Sequence, residues 1–311
     1  SDDVTVIDGA SNQVIATVEV GHGPYALCYN PLDNKVYSAN WNSNDVAVID
    51  GALNQVLATV AVGEDPCALC YNPTNNKVYS ANRNSDDVTI IDGASNQVLA
   101  TVAVGDWPCA LCYNPLDNKV YSANYESDNV TIIDGASNQV VATVEVGYWP
   151  CALCYNPTNN KVYSANYDSD DVTIIDGASN QVVATVEVGD YRPVALCYNP
   201  TNNKVYSANF CSGTVTVIDG ATNQVVATVE VGYYPYALCY NPLDNKVYSA
   251  NWNSDDVTVL DGASNRVLAT VKVDSVPSAL CYNSLDNKVY SANWDSDDVT
   301  VLDGATNQVV A

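Results

Sequence analysis

The 311 residues carry 36 Asp and Glu against 11 Lys and Arg, a formal net charge of −25. A field of that sign repels nucleic acid and anionic lipid, so neither is an expected partner. No run of about 18 apolar residues exists, so membrane insertion as a helix is not expected either. The first apolar run, Val4–Ile7, is β-branched and ends at the turn signal Asp8-Gly9. Val14 to Val20 follows with strand alternation, and Gly21 and Pro24 break the chain. Ala26–Tyr29 is a third short run, Asn30-Pro31-Leu32-Asp33 fits a turn with proline second, and Lys35–Ala39 is a fourth. No stretch has helical periodicity, and the chain reads as all-β.

The same text then recurs. Copies begin at Ser1, Ser43, Ser85, Ser127, Ser169, Ser212 and Ser254, and a partial copy spans Ser296 to Ala311. A period of about 42 residues holding four strand-like runs is the pattern of a β-propeller blade, because a unit that small cannot bury its own apolar face. The expected fold is a seven-bladed β-propeller of four-stranded antiparallel blades, one domain over 1–311, with one extra strand pair.

Taken together, the four runs resemble the YVTN-family β-propeller repeats of surface-layer-type proteins. The namesake tetrapeptide stands here as Tyr37-Ser38-Ala39-Asn40, the family's D-x-x-T-N-K-V turn as Asp8 to Val14, and its P-x-G-V-A strand as Pro24 to Cys28. The resemblance implies that the strand after the proline is the innermost, A. Lys35–Ala39 is then B, Val4–Ile7 and its copies C, and Val14–Val20 and its copies the outer strand D. Counting gives seven A–B pairs and eight C–D pairs. Either Ser1–Val20 or Ser296–Ala311 completes the blade of Pro277–Asn293, and the unused hairpin is expected to pair with another molecule, head to tail. The resemblance also implies an extracellular or cell-surface location.

Copies differ mainly in the D–A and B–C loops, which antiparallel meandering places at one end. That end holds His22, Trp41, Trp107, Tyr125, Trp149, Tyr167, Tyr191, Phe210, Tyr234, Trp252 and Trp294, with Glu64, Asp65, Asp106, Glu126, Asp168, Asp190 and Asp295 interleaved. Amphipathic rings beside carboxylates suit a carbohydrate, a cationic group or a protein partner. Tyr29, Tyr37 and their copies read as packing.

No catalytic residue is expected. His22 is the single histidine and has no repeated partner. Cys67-Ala68-Leu69-Cys70 has C-x-x-C spacing, but strand alternation sends the two thiols to opposite faces. Cys28 and its copies read as small buried hydrophobes, a disulfide from Cys67, Cys109 or Cys151 to a neighbouring blade stays open, and Cys211 is the candidate reactive thiol. No cofactor is expected. Loops such as Asp168-Ser169-Asp170-Asp171 offer oxygens for Ca²⁺, with solvated edge charge the commoner meaning of such runs. The first expectation for function is therefore a non-enzymatic extracellular scaffold or adhesion protein that self-assembles. A carbohydrate- or protein-binding propeller is the second, and a Ca²⁺-dependent hydrolase or lactonase-like enzyme the third.

Overall fold

The computed structural model describes residues 1–189 and 192–311. The fold is an all-β, seven-bladed propeller with four-stranded antiparallel blades. β1 (Asp3–Asp8) and β2 (Gln13–Glu19) form a two-stranded sheet. β3 (Pro24–Asn30), β4 (Lys35–Asn40), β5 (Asp45–Asp50) and β6 (Gln55–Ala61) form the first complete blade, in sequence order. Five more sheets repeat it: β7–β10, β11–β14, β15–β18, β19–β22 and β23–β26, within residues 66–103, 108–145, 150–187, 193–230 and 235–272. The last sheet is β27 (Pro277–Asn283), β28 (Lys288–Asn293) and β29 (Asp298–Asp303), with Val309 bridged to Leu302 in the place of a fourth strand. Thus Ser296–Ala311 completes the blade of Pro277–Asn293, and the hairpin left over is β1–β2.

Two compact units divide the chain. The first comprises Ser1–Asp8, Gln13–Leu153 and Asp176–Gln181, and the second Gly9–Asn12, Cys154–Ile175 and Val182–Ala311. Each is built on the same internal chemistry. Central strands are apolar on both faces and disappear between sheets: Tyr37, Val46, Val48, Val78 and Ile91 form one such layer in the first unit, and Tyr206, Val215, Val217, Val247 and Leu260 another in the second. The tetrapeptide is kept for that layer. Tyr37 is 0% exposed, and its hydroxyl donates to the Gly93 carbonyl of the next sheet. Asn82 is equally buried, takes a hydrogen bond from Ser80, and donates to Asp87 and Thr89 across the sheet.

The recurring turns carry the contacts from sheet to sheet. Lys77 Nζ donates to the carbonyls of Gly135 (2.6 Å) and Ala136 (3.4 Å) and to Asn138 Oδ1 (2.7 Å), all in the turn between the third and fourth strands of the next sheet. In the second unit Lys246 does the same to Gly304, Ala305 and Asn307. Lys288 does so to Gly9, Ala10 and Asn12. The acceptor asparagine sits in the left-handed region, as at Asn138 (φ 60) and Asn12 (φ 59), which asparagine tolerates better than most residues. The aspartate that opens the turn accepts from the serine or threonine three residues on, as Asp134 does from Ser137 N and Oγ at 2.7 Å and Asp303 from Thr306 N and Oγ1.

The two cysteines of the C-x-x-C spacing do not diverge as simple alternation predicts. Register shifts between Pro66 and Ala68, so Cys67 sits at a bulge. Its thiol donates to the Pro108 carbonyl of the next sheet at 3.1 Å, and Cys70 packs into the layer of Tyr79, Val88, Val120 and Ile133 that faces the same sheet. All eleven cysteines are free thiols. Burial pushes the Cys28 thiol up to about 11 and those of Cys67 and Cys154 up to about 12. Thiolate is the reactive form, so a chromogenic disulfide reagent at pH 7.5 is expected to label Cys211 first and the exposed Cys281 more slowly. The other nine should react only after denaturant is added. Rapid native labelling of more than two thiols would contradict this packing.

Candidate binding face

The variable loops are built on two left-handed positions per repeat. The residue before the proline of each D–A loop has positive φ whatever its side chain: Gly23 (68°), Asp65 (55°), Trp107 (55°), Trp149 (57°), Arg192 (57°), Tyr234 (58°) and Val276 (63°). Bulky residues avoid this region, at a cost of about 1–3 kcal/mol each. A neighbouring loop enforces it. Trp107 N donates to Asp86 Oδ1 (2.9 Å) and Trp149 N to Asp128 Oδ1 (2.9 Å). In the second unit Arg192 N donates to Asp170 Oδ1 (2.7 Å) and Val276 N to Asp255 Oδ1 (3.0 Å). Loop serines hold the residue before: Ser43 Oγ accepts from His22 N and Ser254 Oγ from Tyr233 N, both at 3.0 Å. The Asp-Ser-Asp-Asp runs therefore direct part of their oxygen to backbone N–H groups. Among the described residues, no group of three or more His, Cys, Asp or Glu is arranged to hold a metal ion.

Backbone so fixed sets rings against rings. In the first unit Tyr25 lies 5.3 Å from Trp41, and Tyr125 is stacked between Trp107 (6.4 Å) and Trp149 (5.3 Å). The Arg83 guanidinium fills the gap in that row, 4.2 Å from the Trp107 ring centre and 5.6 Å from Trp41. In the second unit Phe210 stacks on Tyr234 at 4.6 Å and lies 5.8 Å from Trp252, and Trp252 stacks on Trp294 at 6.2 Å. Arg192 lies over Tyr167 at 5.0 Å and donates to its hydroxyl. Trp294 ends its row 69% exposed. His22 is no part of either row: its Nδ1 pairs with Asp2 Oδ2 at 2.8 Å, a bond that, with the Gly23 N–H, holds the Asp2 carboxyl below its ordinary value. Tyr191, with Asp190, lies outside the described residues. Cys211 is exposed, apart from the rings' stacking contacts.

Other surface features are less organised. A cavity of about 570 Å³ opens where Ser212-Gly213-Thr214 replaces the usual acidic loop, lined also by Glu230, Tyr233 and Asp256. One expectation about packing fails. Tyr37 and its copies up to Tyr248 are buried and Tyr290 is half-buried, but Tyr29 is 53% exposed, because among the described residues no strand covers its face of β3.

Sequence reasoning found the loops but missed three things: the lysine contacts, the acceptor role of the loop aspartates, and the two arginines laid on rings. The signal for the first was a lysine recurring at one repeat position in a strongly acidic chain. For the third it was Arg83 standing where other copies carry an aromatic ring.

Among solved structures, the hydrazine synthase of Kuenenia stuttgartiensis is similar over 90% of this chain and 95% of its own, with 22% identity and a TM-score of 0.73. The computationally designed Ika8 protein is similar over 94% of this chain and 87% of its own, with 22% identity and a TM-score of 0.79. At such identity the likeness is one of fold alone. No curated protein matches the chain. A family model described as YNCE-like beta-propeller matches residues 1–163 and 156–310, and with those matches spanning nearly the whole sequence the chain belongs to the YNCE-like β-propeller family.

Proposed function

We propose that the chain is a non-enzymatic extracellular adhesion scaffold that grips a basic protein segment through its D–A and B–C loops. The observation that supports this reading is a guanidinium set into one aromatic row and a second laid on a further loop ring. Arg83 between Trp41 and Trp107, and Arg192 on Tyr167, show that these loops accommodate a planar cation against a ring. Trp294 ends its row 69% exposed, which leaves a ring for a cationic side chain to meet. The net charge of −25 adds long-range attraction for a cationic partner. The resemblance of Tyr37-Ser38-Ala39-Asn40 to surface-layer repeats supports the extracellular address, and the leftover hairpin supports assembly with other chains.

An arginine-rich peptide titrated at low salt, read by tryptophan fluorescence, is expected to bind and to weaken as salt rises. Trp294→Ala removes an exposed ring and should weaken binding roughly tenfold, within the range of a cation–π contact. Binding that ignores this substitution, or binding only to neutral glycans on an array, would reject the basic-segment reading.

A further inference from the structure

The first unit contains an internal control for each of its surfaces, because the same surfaces recur along the repeat. Three of them lack the cover they have elsewhere. The first is the free edge of β1. In every complete blade the strand equivalent to β1 is paired on that side by the Lys-Val-Tyr-Ser-Ala-Asn strand, as β5 is by β4 through Tyr37↔Val48 and Ala39↔Val46. Among the described residues β1 pairs only with β2. The second is one face of β3. Leu69 and Tyr71 of the following blade pack into the layer formed with Tyr37 and Val48, whereas their equivalents Leu27 and Tyr29 are 58% and 53% exposed. The third is the turn at Gly51. Its counterpart at Gly93 receives Lys35 on the Gly93 and Ala94 carbonyls and Asn96 Oδ1. Among the described residues no lysine reaches Gly51, Ala52 or Asn54.

We infer that these three surfaces are one receptor, and that its occupant is an A–B hairpin of this repeat type: Pro-x-Ala-Leu-Cys-Tyr-Asn, a turn, then Lys-Val-Tyr-Ser-Ala-Asn. One such hairpin meets all three at once. Its second strand pairs with β1 by backbone hydrogen bonds, as in β-strand addition. Its body covers Leu27 and Tyr29. Its lysine, the first residue of that second strand, reaches the Gly51 turn as Lys35 reaches Gly93. Exposed strand edges are ordinarily blunted by charge, proline or cover; this edge reads Asp-Val-Thr-Val-Ile-Asp, apolar at its centre. The receptor is separate from the aromatic loops and does not depend on what they bind.

The test uses the intact chain and a synthetic peptide spanning residues 24–42, which holds one such hairpin and is not expected to fold alone. Calorimetry should give one peptide per chain, with a rise in melting temperature at saturating peptide. A peptide in which the lysine equivalent to Lys35 is methionine should bind at least tenfold more weakly. Leu27→Glu, at a position already exposed, should leave the melting temperature of the free chain unchanged and abolish peptide binding. Failure of the native peptide to bind, equal binding by Leu27→Glu, or a dimer that forms without peptide and excludes it would each overturn the inference.

Discussion

Lys77→Met is expected to lower stability by about 3 kcal/mol. The lysine donates three hydrogen bonds from a site 8% exposed, and two of the acceptors are backbone carbonyls in the Gly135 turn. Hydrogen bonds to a charged group are worth about 1.5–3 kcal/mol, and acceptors left without a donor retain their desolvation cost. Methionine keeps most of the side-chain volume, so the loss reports the ammonium and not a cavity. At roughly 2 °C per kcal/mol for a chain of this size, the melting temperature should fall by about 6 °C. Lys246→Met, in the other unit, should cost a similar amount, and the double variant should show the sum, because the two share no partner. An exposed ion pair would behave differently: its loss would be small and would fade with salt. A fall below about 1 °C for either variant would mean that the lysines contribute nothing to holding adjacent sheets.

Asn166→Leu should cost as much, and with a pH signature. Asn166 is fully buried, accepts from Ser164, and donates to Asp171 Oδ1 (2.6 Å) and Thr173 Oγ1 (2.9 Å). Burial raises the Asp171 carboxyl above its ordinary value, with the Asn166 amide opposing that rise. A carboxyl raised on folding costs stability at neutral pH, and the cost is relieved as pH falls through the folded value and the group takes up a proton. Leucine removes the opposing amide and so raises the carboxyl further. The variant should lose about 3 kcal/mol at pH 7, and less at pH 4, because its carboxyl, raised further, takes up a proton more readily as the pH falls. Denaturant midpoints at the two pH values decide it. An equal loss at both would show that Asp171 finds another donor when Asn166 is gone.

Most of the fold was legible because turn chemistry and strand period agree in every copy. Asp8-Gly9, Gly21 and Asn30-Pro31 bracket the strands to within a residue or two of where they lie. Contacts between copies were harder to read, since a repeat shows what recurs and not what each recurrence touches. Lys35 and its copies begin a strand, and nothing in that strand announces that the amine reaches into the next sheet. Asp170 read as surface charge or a calcium ligand because a carboxylate that holds a backbone N–H on a neighbouring loop has no local signature. The alternation argument for Cys67 and Cys70 failed at one inserted residue, which shifts register without altering composition. Which terminal hairpin fills the last blade was left open by strand counting, as both have nearly the same sequence.

The left-handed residues of the D–A loops have a consequence for change over time. Glycine, aspartate, tryptophan, arginine, tyrosine and valine all occupy one backbone shape there, and where a donor to the neighbouring loop is seen, an acid or amide on that loop imposes the shape. The occupant's own conformational preference is thus overruled from outside, at a cost met by a charge-assisted hydrogen bond in most of the copies. Side-chain identity and chain path are uncoupled at that socket. Substitution there can explore new chemistry while the scaffold beneath stays still.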